Sequence, residues 1–183
     1  MHKPARFRTP KAFFARAMTL PLLALAPLLL ALTQGEAVPD FSAKNQDGQE
    51  IHLSDFRGKP VLLYFYPKDE TPGCTKQACT LRDEFAAFKK RGAVVFGISG
   101  QDAESHRKFR AHHKLPFDLL VDADGKIAEK LGVGHFPVIG LHKRQSLLIG
   151  ADGKLIHFYP DVDPAGHAAE VLKDLDAATA SKP

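Results

Sequence analysis

An uninterrupted apolar run, Val61-Leu62-Leu63-Tyr64-Phe65-Tyr66, feeds directly into Pro67-Lys68-Asp69-Glu70-Thr71-Pro72-Gly73-Cys74. This junction constrains the fold more than any other part of the chain. The run is too short for a buried helix and rich in β-formers, so it reads as a strand covered on both faces. The segment after it turns sharply and then starts a helix. Thr71 is a good N-cap and Pro72 suits the first helical position, and the helical pattern continues to about Arg91.

The same two-beat pattern recurs downstream. Ala93–Ser99 reads as a second buried strand, Asp102 to about Lys114 as a polar helix, Phe117–Val121 as a third strand and Lys126–Leu131 as a short helix. Ser146–Ile149 and Lys154–Phe158 flank Ala151-Asp152-Gly153, a hairpin with Asp-Gly as its turn. Pro164 to Ala178 closes the chain as a helix. Ahead of the first strand, Asn45–Gln49 is a turn between short extended pieces, and Ser54–Pro60 is a helical turn ended by Gly and Pro. Apolar strands alternating with helices imply an α/β fold with a central mixed sheet, largely parallel but with an antiparallel hairpin added at the end, and helices on both faces. That pattern is compatible with a thioredoxin-like sandwich.

The formal charge of +4 belongs to the N-terminus. Lys3, Arg6, Arg8, Lys11 and Arg16 stand in residues 1–33 without one acid; beyond them 20 basic residues face 21 acidic ones. A folded domain so balanced is not expected to bind nucleic acid. Residues 17–33 are apolar and uncharged. A basic stretch followed by an apolar one is the pattern of a secretory signal or a membrane anchor. Basic residues stay on the cytoplasmic side, so either form is expected to export the domain to a periplasmic location. The division expected is 1–34 as signal or anchor and 35–183 as a single folded domain.

Both cysteines, Cys74 and Cys79, lie in the junction. Two are too few for a disulfide-stapled scaffold or an all-cysteine zinc site. What remains is a redox pair, or one reactive thiol and a bystander. Cys74 falls in the first turn of the helix, where unpaired backbone N–H groups and the positive end of the dipole favour a thiolate, which is the nucleophile. In an ideal helix, residues five apart have Cα atoms ~8.6 Å apart. A disulfide needs less than about 7 Å. A Cys74–Cys79 bond is therefore expected to require unwinding, which Gly73 and Thr75 would ease.

Pro67-x-x-x-Thr71-x-x-Cys74 resembles the peroxiredoxin signature. The longer Tyr64–Cys79 stretch is similar to that of the Q-type subgroup, the bacterioferritin comigratory proteins. Pro39-Asp40-Phe41, Leu53–Lys59 and Ala151–Lys154 extend the likeness across about 35–175. The resemblance implies a thioredoxin-like peroxidase that reduces hydrogen peroxide and organic hydroperoxides. It implies Cys74 as the peroxidatic cysteine, Cys79 as the resolving one, Thr71 orienting the peroxide, Pro67 shielding the thiolate and Arg144 as the active-site arginine. It further implies a monomer, no cofactor, no metal and thioredoxin or a similar dithiol as reductant. The alternative is an exported thiol–disulfide oxidoreductase, against which the four-residue spacing of the cysteines counts.

The remaining polar residues carry plainer expectations. The nine histidines are expected on the surface or in loops, with the adjacent His112 and His113 diverging on their helix. Asp69-Glu70 is expected to be a solvated turn, and Tyr64 and Tyr66 to line the surroundings of the site.

Overall fold

A computed structural model describes residues 32–136 and 141–180. The N-terminal segment expected to direct export lies, up to residue 31, outside the described residues. Among the described residues no helix is long and apolar enough to cross a membrane.

The chain begins with a small antiparallel pair, β1 (Ser42–Lys44) and β2 (Glu50–His52), around the expected turn. A 3-10 turn at Leu53–Phe56 follows. Then come β3 (Val61–Phe65), α1 (Pro72–Asp83), α2 (Phe85–Lys90), β4 (Val94–Ser99) and α3 (Ala103–His113). The chain continues through β5 (Asp118–Val121), α4 (Lys126–Lys130) and the short β6 (His135–Phe136) and β7 (Leu141–His142). It ends with β8 (Gln145–Ile149), β9 (Leu155–Tyr159) and α5 (His167–Ala180).

The central sheet has five strands in the order β5-β4-β3-β8-β9. β3 pairs parallel with β4, and β4 with β5, whereas β8 runs antiparallel to both β3 and β9. The sheet is thus mixed, as expected. The closing hairpin does not sit at the margin: its first strand lies directly beside β3.

All five residues of β3 are buried, and successive side chains point to opposite faces. Leu62 and Tyr64 join Ala78, Leu81, Phe88, Phe109 and Val171 in a core under α1, α2, α3 and α5. Leu63 and Phe65 join Ile98, Leu120, Ile127 and Ala128 in a second core under α4 and the N-terminal hairpin. Two covered faces explain the unbroken apolar run, and burial of each such side chain contributes roughly 1.5–3 kcal/mol.

The helix expected to reach Arg91 is broken at Glu84, whose φ of −92° and ψ of 5° leave the helical region. Neither Gly nor Pro marks the break. Ala78, Leu81, Phe85 and Phe88 keep a helical apolar spacing straight through it, so both pieces bury the same side. β3 ends at Phe65, and the site segment leaves its carboxyl end between the sheet and α1. Clefts at the carboxyl ends of parallel strands are where open α/β sheets bind ligands.

Candidate active site

Thr71 stands at the N-cap of α1, with extended φ and ψ of −78° and 146°, and Pro72 opens the helix. Its side chain does not cap, however. The Thr71 hydroxyl turns back and donates to the Lys68 carbonyl at 2.9 Å, which ties the loop into a tight bend. The first-turn N–H groups near Cys74 have no partner within the helix, and the hydroxyl does not take one up. Pro67 is half-buried at the start of the bend.

Cys74 is 1% exposed. Arg144, immediately before β8, reaches across from the neighbouring strand. Its Nη2 donates to Cys74 Sγ at 3.4 Å, and its Nη1 donates to Gln77 Oε1 at 2.7 Å. β8 lies next to β3 in the sheet, which is why a residue 70 positions away meets the cysteine. A guanidinium in a fixed fork suits a thiolate and the oxygens of a polarised substrate. Gly73 leaves room for it: a Cβ there would lie 3.1 Å from Arg144 Nη2.

The structure therefore brings Arg144 to Cys74, in the first turn of the helix that Thr71 begins, and Pro67 starts the loop that leads into it. Cys79 lies on the same continuous helix, half-buried, and both thiols are free. Its sulfur faces His113 Nδ1 at 4.0 Å rather than Cys74. With α1 wound through both cysteines, the helical geometry leaves them too far apart for a bond.

Gln77 is a site residue that the motif does not point to. It is fully buried one turn from Cys74 and anchors the arginine. A signal existed: Cys74, Gln77, Ala78 and Leu81 follow the i, i+3, i+4, i+7 spacing of one helix face, so a polar Gln sits in an apolar stripe.

Asp69 corrects an expectation. It is 4% exposed, not a solvated turn residue. Tyr66 Oη donates to its Oδ1 at 2.7 Å and Ser105 Oγ to its Oδ2 at 2.7 Å; His106 Nδ1 lies 2.8 Å from Oδ2. Burial alone would raise its pKa, but the hydrogen bonds from His106, Ser105 and Tyr66 and the charge of His106 hold it below the ordinary value. This network clamps the loop Pro67–Thr71 onto α3. Tyr66 and Tyr64 are both buried, and burial first, then neighbouring negative charge, pushes both phenols well above their ordinary pKa.

The histidines also depart from expectation. His106, His142 and His167 are at most 1% exposed. His112 and His113 do not diverge: their ring centroids are 4.4 Å apart and both reach Glu70, at 3.2 Å and 2.9 Å. They lie at the carboxyl end of α3, where the side chains can bend around the helix terminus towards one carboxylate. Glu70 pulls this together from the site loop, with a backbone φ of 60°.

The profile of the AhpC/TSA family matches residues 34–158. Peroxiredoxin Q, chloroplastic, from Oryza sativa subsp. japonica is 45% identical over 147 residues, covering 80% of this chain and 68% of the relative. The protein of the same name from Populus jackii is 46% identical over 147 residues, with 80% and 69% covered. Among solved structures, a peroxidoxin from Mycobacterium tuberculosis superposes with a TM-score of 0.75 at 33% identity, covering 80% of this chain and 97% of that one. The bacterioferritin comigratory protein of Xanthomonas campestris does so with a TM-score of 0.72 at 29% identity, covering 80% and 97%. With a profile match over most of its length, close relatives by sequence and the same thioredoxin-like sandwich, the chain belongs to the AhpC/TSA family and, within it, to the Q-type peroxiredoxins.

Proposed function

We propose that this thiol-dependent peroxidase reduces hydrogen peroxide and organic hydroperoxides through Cys74, closes a Cys74–Cys79 disulfide within one chain, and is recycled by a dithiol of the thioredoxin type. Family membership establishes the peroxidase class. The observation that carries the finer reading is Arg144, hydrogen-bonded at once to Cys74 Sγ and to Gln77.

The thiolate of Cys74 attacks the terminal oxygen of the peroxide. The S–O bond forms as the O–O bond breaks, and the departing alkoxide or hydroxide takes a proton from solvent to leave as alcohol or water. Cys74 becomes a sulfenic acid. Negative charge moves from sulfur to the leaving oxygen during this step, and the Arg144 fork lies where it meets both. Thr71, whose oxygen still has lone pairs to offer, orients the peroxide, and Pro67 covers the thiolate. The burial of Cys74 favours a slender –OOH group over a bulky electrophile. The bacterioferritin comigratory protein of Xanthomonas campestris has alkyl peroxide reduction activity, which supports hydroperoxides as substrates here.

Resolution needs α1 to open. The thiolate of Cys79 attacks Cys74 sulfur, the S–S bond forms, the S–O bond breaks, and hydroxide leaves as water. An external dithiol then reduces the disulfide by exchange. The basic and then apolar N-terminal segment supports export of the domain formed by residues 35–183, whereas the plant relatives carry chloroplastic in their names. N-terminal sequencing of the mature protein tests export and cleavage together.

Peroxide consumption by purified variants tests the chemistry. Cys74→Ser abolishes turnover. Cys79→Ser still consumes one equivalent and then holds a sulfenic acid that dimedone traps. Full turnover in Cys74→Ser overturns the assignment.

A further inference from the structure

We propose that His113 is the general base for the resolving thiol, held in place by Glu70, so that Cys79 leaves the wound helix already as a thiolate. The proposal rests on the peroxidase reading above and deepens its second half. It starts from three contacts. Cys79 Sγ lies 4.0 Å from His113 Nδ1, within reach of a sulfur hydrogen bond. The other nitrogen of that ring, Nε2, lies 2.9 Å from Glu70 Oε2. The second oxygen of the same carboxylate lies 3.2 Å from His112 Nδ1.

The tautomer follows from these partners. A carboxylate only accepts, so Nε2 carries the proton and donates to Glu70. In the neutral ring Nδ1 is then a lone pair, and it faces the thiol. A carboxylate that fixes the tautomer and orientation of a histidine beside a nucleophile is the general arrangement for activating thiols and hydroxyls. Here the three groups come from three elements: α1, the end of α3, and the loop before α1.

The surroundings fit. Phe109 meets the His113 ring edge-on at 5.0 Å and limits its rotation. His113 ends α3, where the helix dipole favours positive charge. Arg82 donates from Nη1 to the His113 carbonyl at 2.8 Å, and its charge interacts with Cys79, so a cation also faces the sulfur from α1. Burial pushes the Glu70 carboxyl up, but hydrogen bonds from His113 and His112 hold it below its ordinary pKa, so it is ionised at neutral pH. Glu70 holds a left-handed backbone with φ of 60°, a region that L-residues other than Asn and Asp seldom adopt. From that conformation its carboxylate meets both histidines.

In the step proposed, the S–H proton of Cys79 passes to His113 Nδ1 and from there to solvent. The sulfur keeps the electron pair with which it later attacks the Cys74 sulfenic acid, and the hydroxide released takes a proton from solvent. His113 touches the reacting sulfur and is catalytic; Glu70 acts through it and is a positioning residue.

Rapid-mixing measurements on the full chain, following sulfenic acid formation and disulfide formation separately from about pH 6 to pH 10, on either side of the ordinary thiol pKa, test the proposal. At neutral pH, His113→Asn slows disulfide formation relative to sulfenic acid formation by about 10–100-fold, the range set by the few per cent of thiolate that an unassisted thiol of pKa ~8.5 holds near pH 7. The deficit closes above the ordinary thiol pKa of ~8.5, where the thiolate forms unaided. A merely structural role gives no such recovery. Glu70→Gln produces a smaller, several-fold deficit with the same recovery. Should His113→Asn fold poorly, iodoacetamide alkylation of Cys79 in Cys74→Ser, with and without Glu70→Gln, gives the same profile. Equal disulfide rates in wild type and His113→Asn at all pH values overturn the relay alone. Absence of sulfenic acid and disulfide in the wild type overturns the peroxidase reading on which it rests.

Discussion

Arg144 Nη2 donates to Cys74 Sγ at 3.4 Å while its Nη1 is pinned by Gln77 Oε1 at 2.7 Å. One guanidinium thus couples the nucleophile to a buried amide one turn along the same helix. A hydrogen bond to a charged group contributes about 1.5–3 kcal/mol, so Arg144→Ala is predicted to slow Cys74 oxidation by about 10–100-fold. Gln77→Ala leaves the charge beside Cys74 but frees the side chain, and a smaller loss of about 3–10-fold is expected because the lost bond positions the guanidinium without touching the sulfur. Stopped-flow rates with hydrogen peroxide check both. A Gln77 effect equal to that of Arg144 would show that the amide does more than hold the fork.

Gly73→Ala acts on both halves of the cycle. The added Cβ meets Arg144 Nη2 at 3.1 Å, so the guanidinium must give by a few tenths of an ångström beside Cys74. Ala also favours the helix over Gly by about 0.5–1 kcal/mol, which resists unwinding. Slower sulfenic acid formation and, separately, several-fold slower disulfide closure are expected, with higher thermal stability. Faster closure would contradict the unwinding requirement.

The Asp69 cluster is a structural clamp. Asn in its place removes the charge and sets an NH2 donor where a carboxylate oxygen had accepted, so Tyr66 on one side, or Ser105 and His106 on the other, lose their acceptor in a buried site. Asp69→Asn is predicted to destabilise the fold by about 3 kcal/mol, in the range for breaking a buried pair, as measured by urea denaturation. Because the folded pKa of Asp69 is lowered, its contribution is present above the ordinary value of 3.8 and lost as pH falls through the folded value.

Much of the frame is legible in the residues, and the exceptions have physical causes. The run at 61–66 reads as a doubly covered strand because both of its faces are buried. Pro67, Thr71 and Pro72 mark the turn and helix start because their backbone preferences are local. The antiparallel place of β8 beside β3 is not local, and it is what delivers Arg144. Asp69 reads as solvated because Lys68 and Glu70 flank it, yet its partners Ser105 and His106 come from α3. Gln77 shows itself only as one amide in an apolar stripe. The meeting of Glu70, His112 and His113 depends on a left-handed backbone at Glu70 that no neighbouring Gly or Asn announces.

His167 supplies a pH dependence of its own. Burial first, and then the charge of Arg144, lowers its pKa from 6.5 to about 4. Its Nε2 meets Ser146 Oγ at 3.0 Å inside the core. Between pH 4 and 6.5 the unfolded chain binds the proton and the folded one does not, so stability rises with pH across that window. A span of about 2.5 units corresponds to an effect on the order of 3 kcal/mol. His167→Gln cannot titrate and is expected to flatten the stability profile between pH 4 and 6.5. An unchanged slope would place the acid sensitivity elsewhere.

In this mechanism α1 is a two-state helix: wound for attack on peroxide at Cys74, unwound for closure with Cys79. Reduced protein treated with one equivalent of hydrogen peroxide, digested and mapped by mass spectrometry, tests it most directly. With circular dichroism recorded before and after oxidation, a two-state α1 gives one disulfide joining Cys74 to Cys79 within a single chain, with a loss of helical signal that dithiol restores. A disulfide between chains, or an intramolecular Cys74–Cys79 bond formed with no change in helical signal, would contradict it.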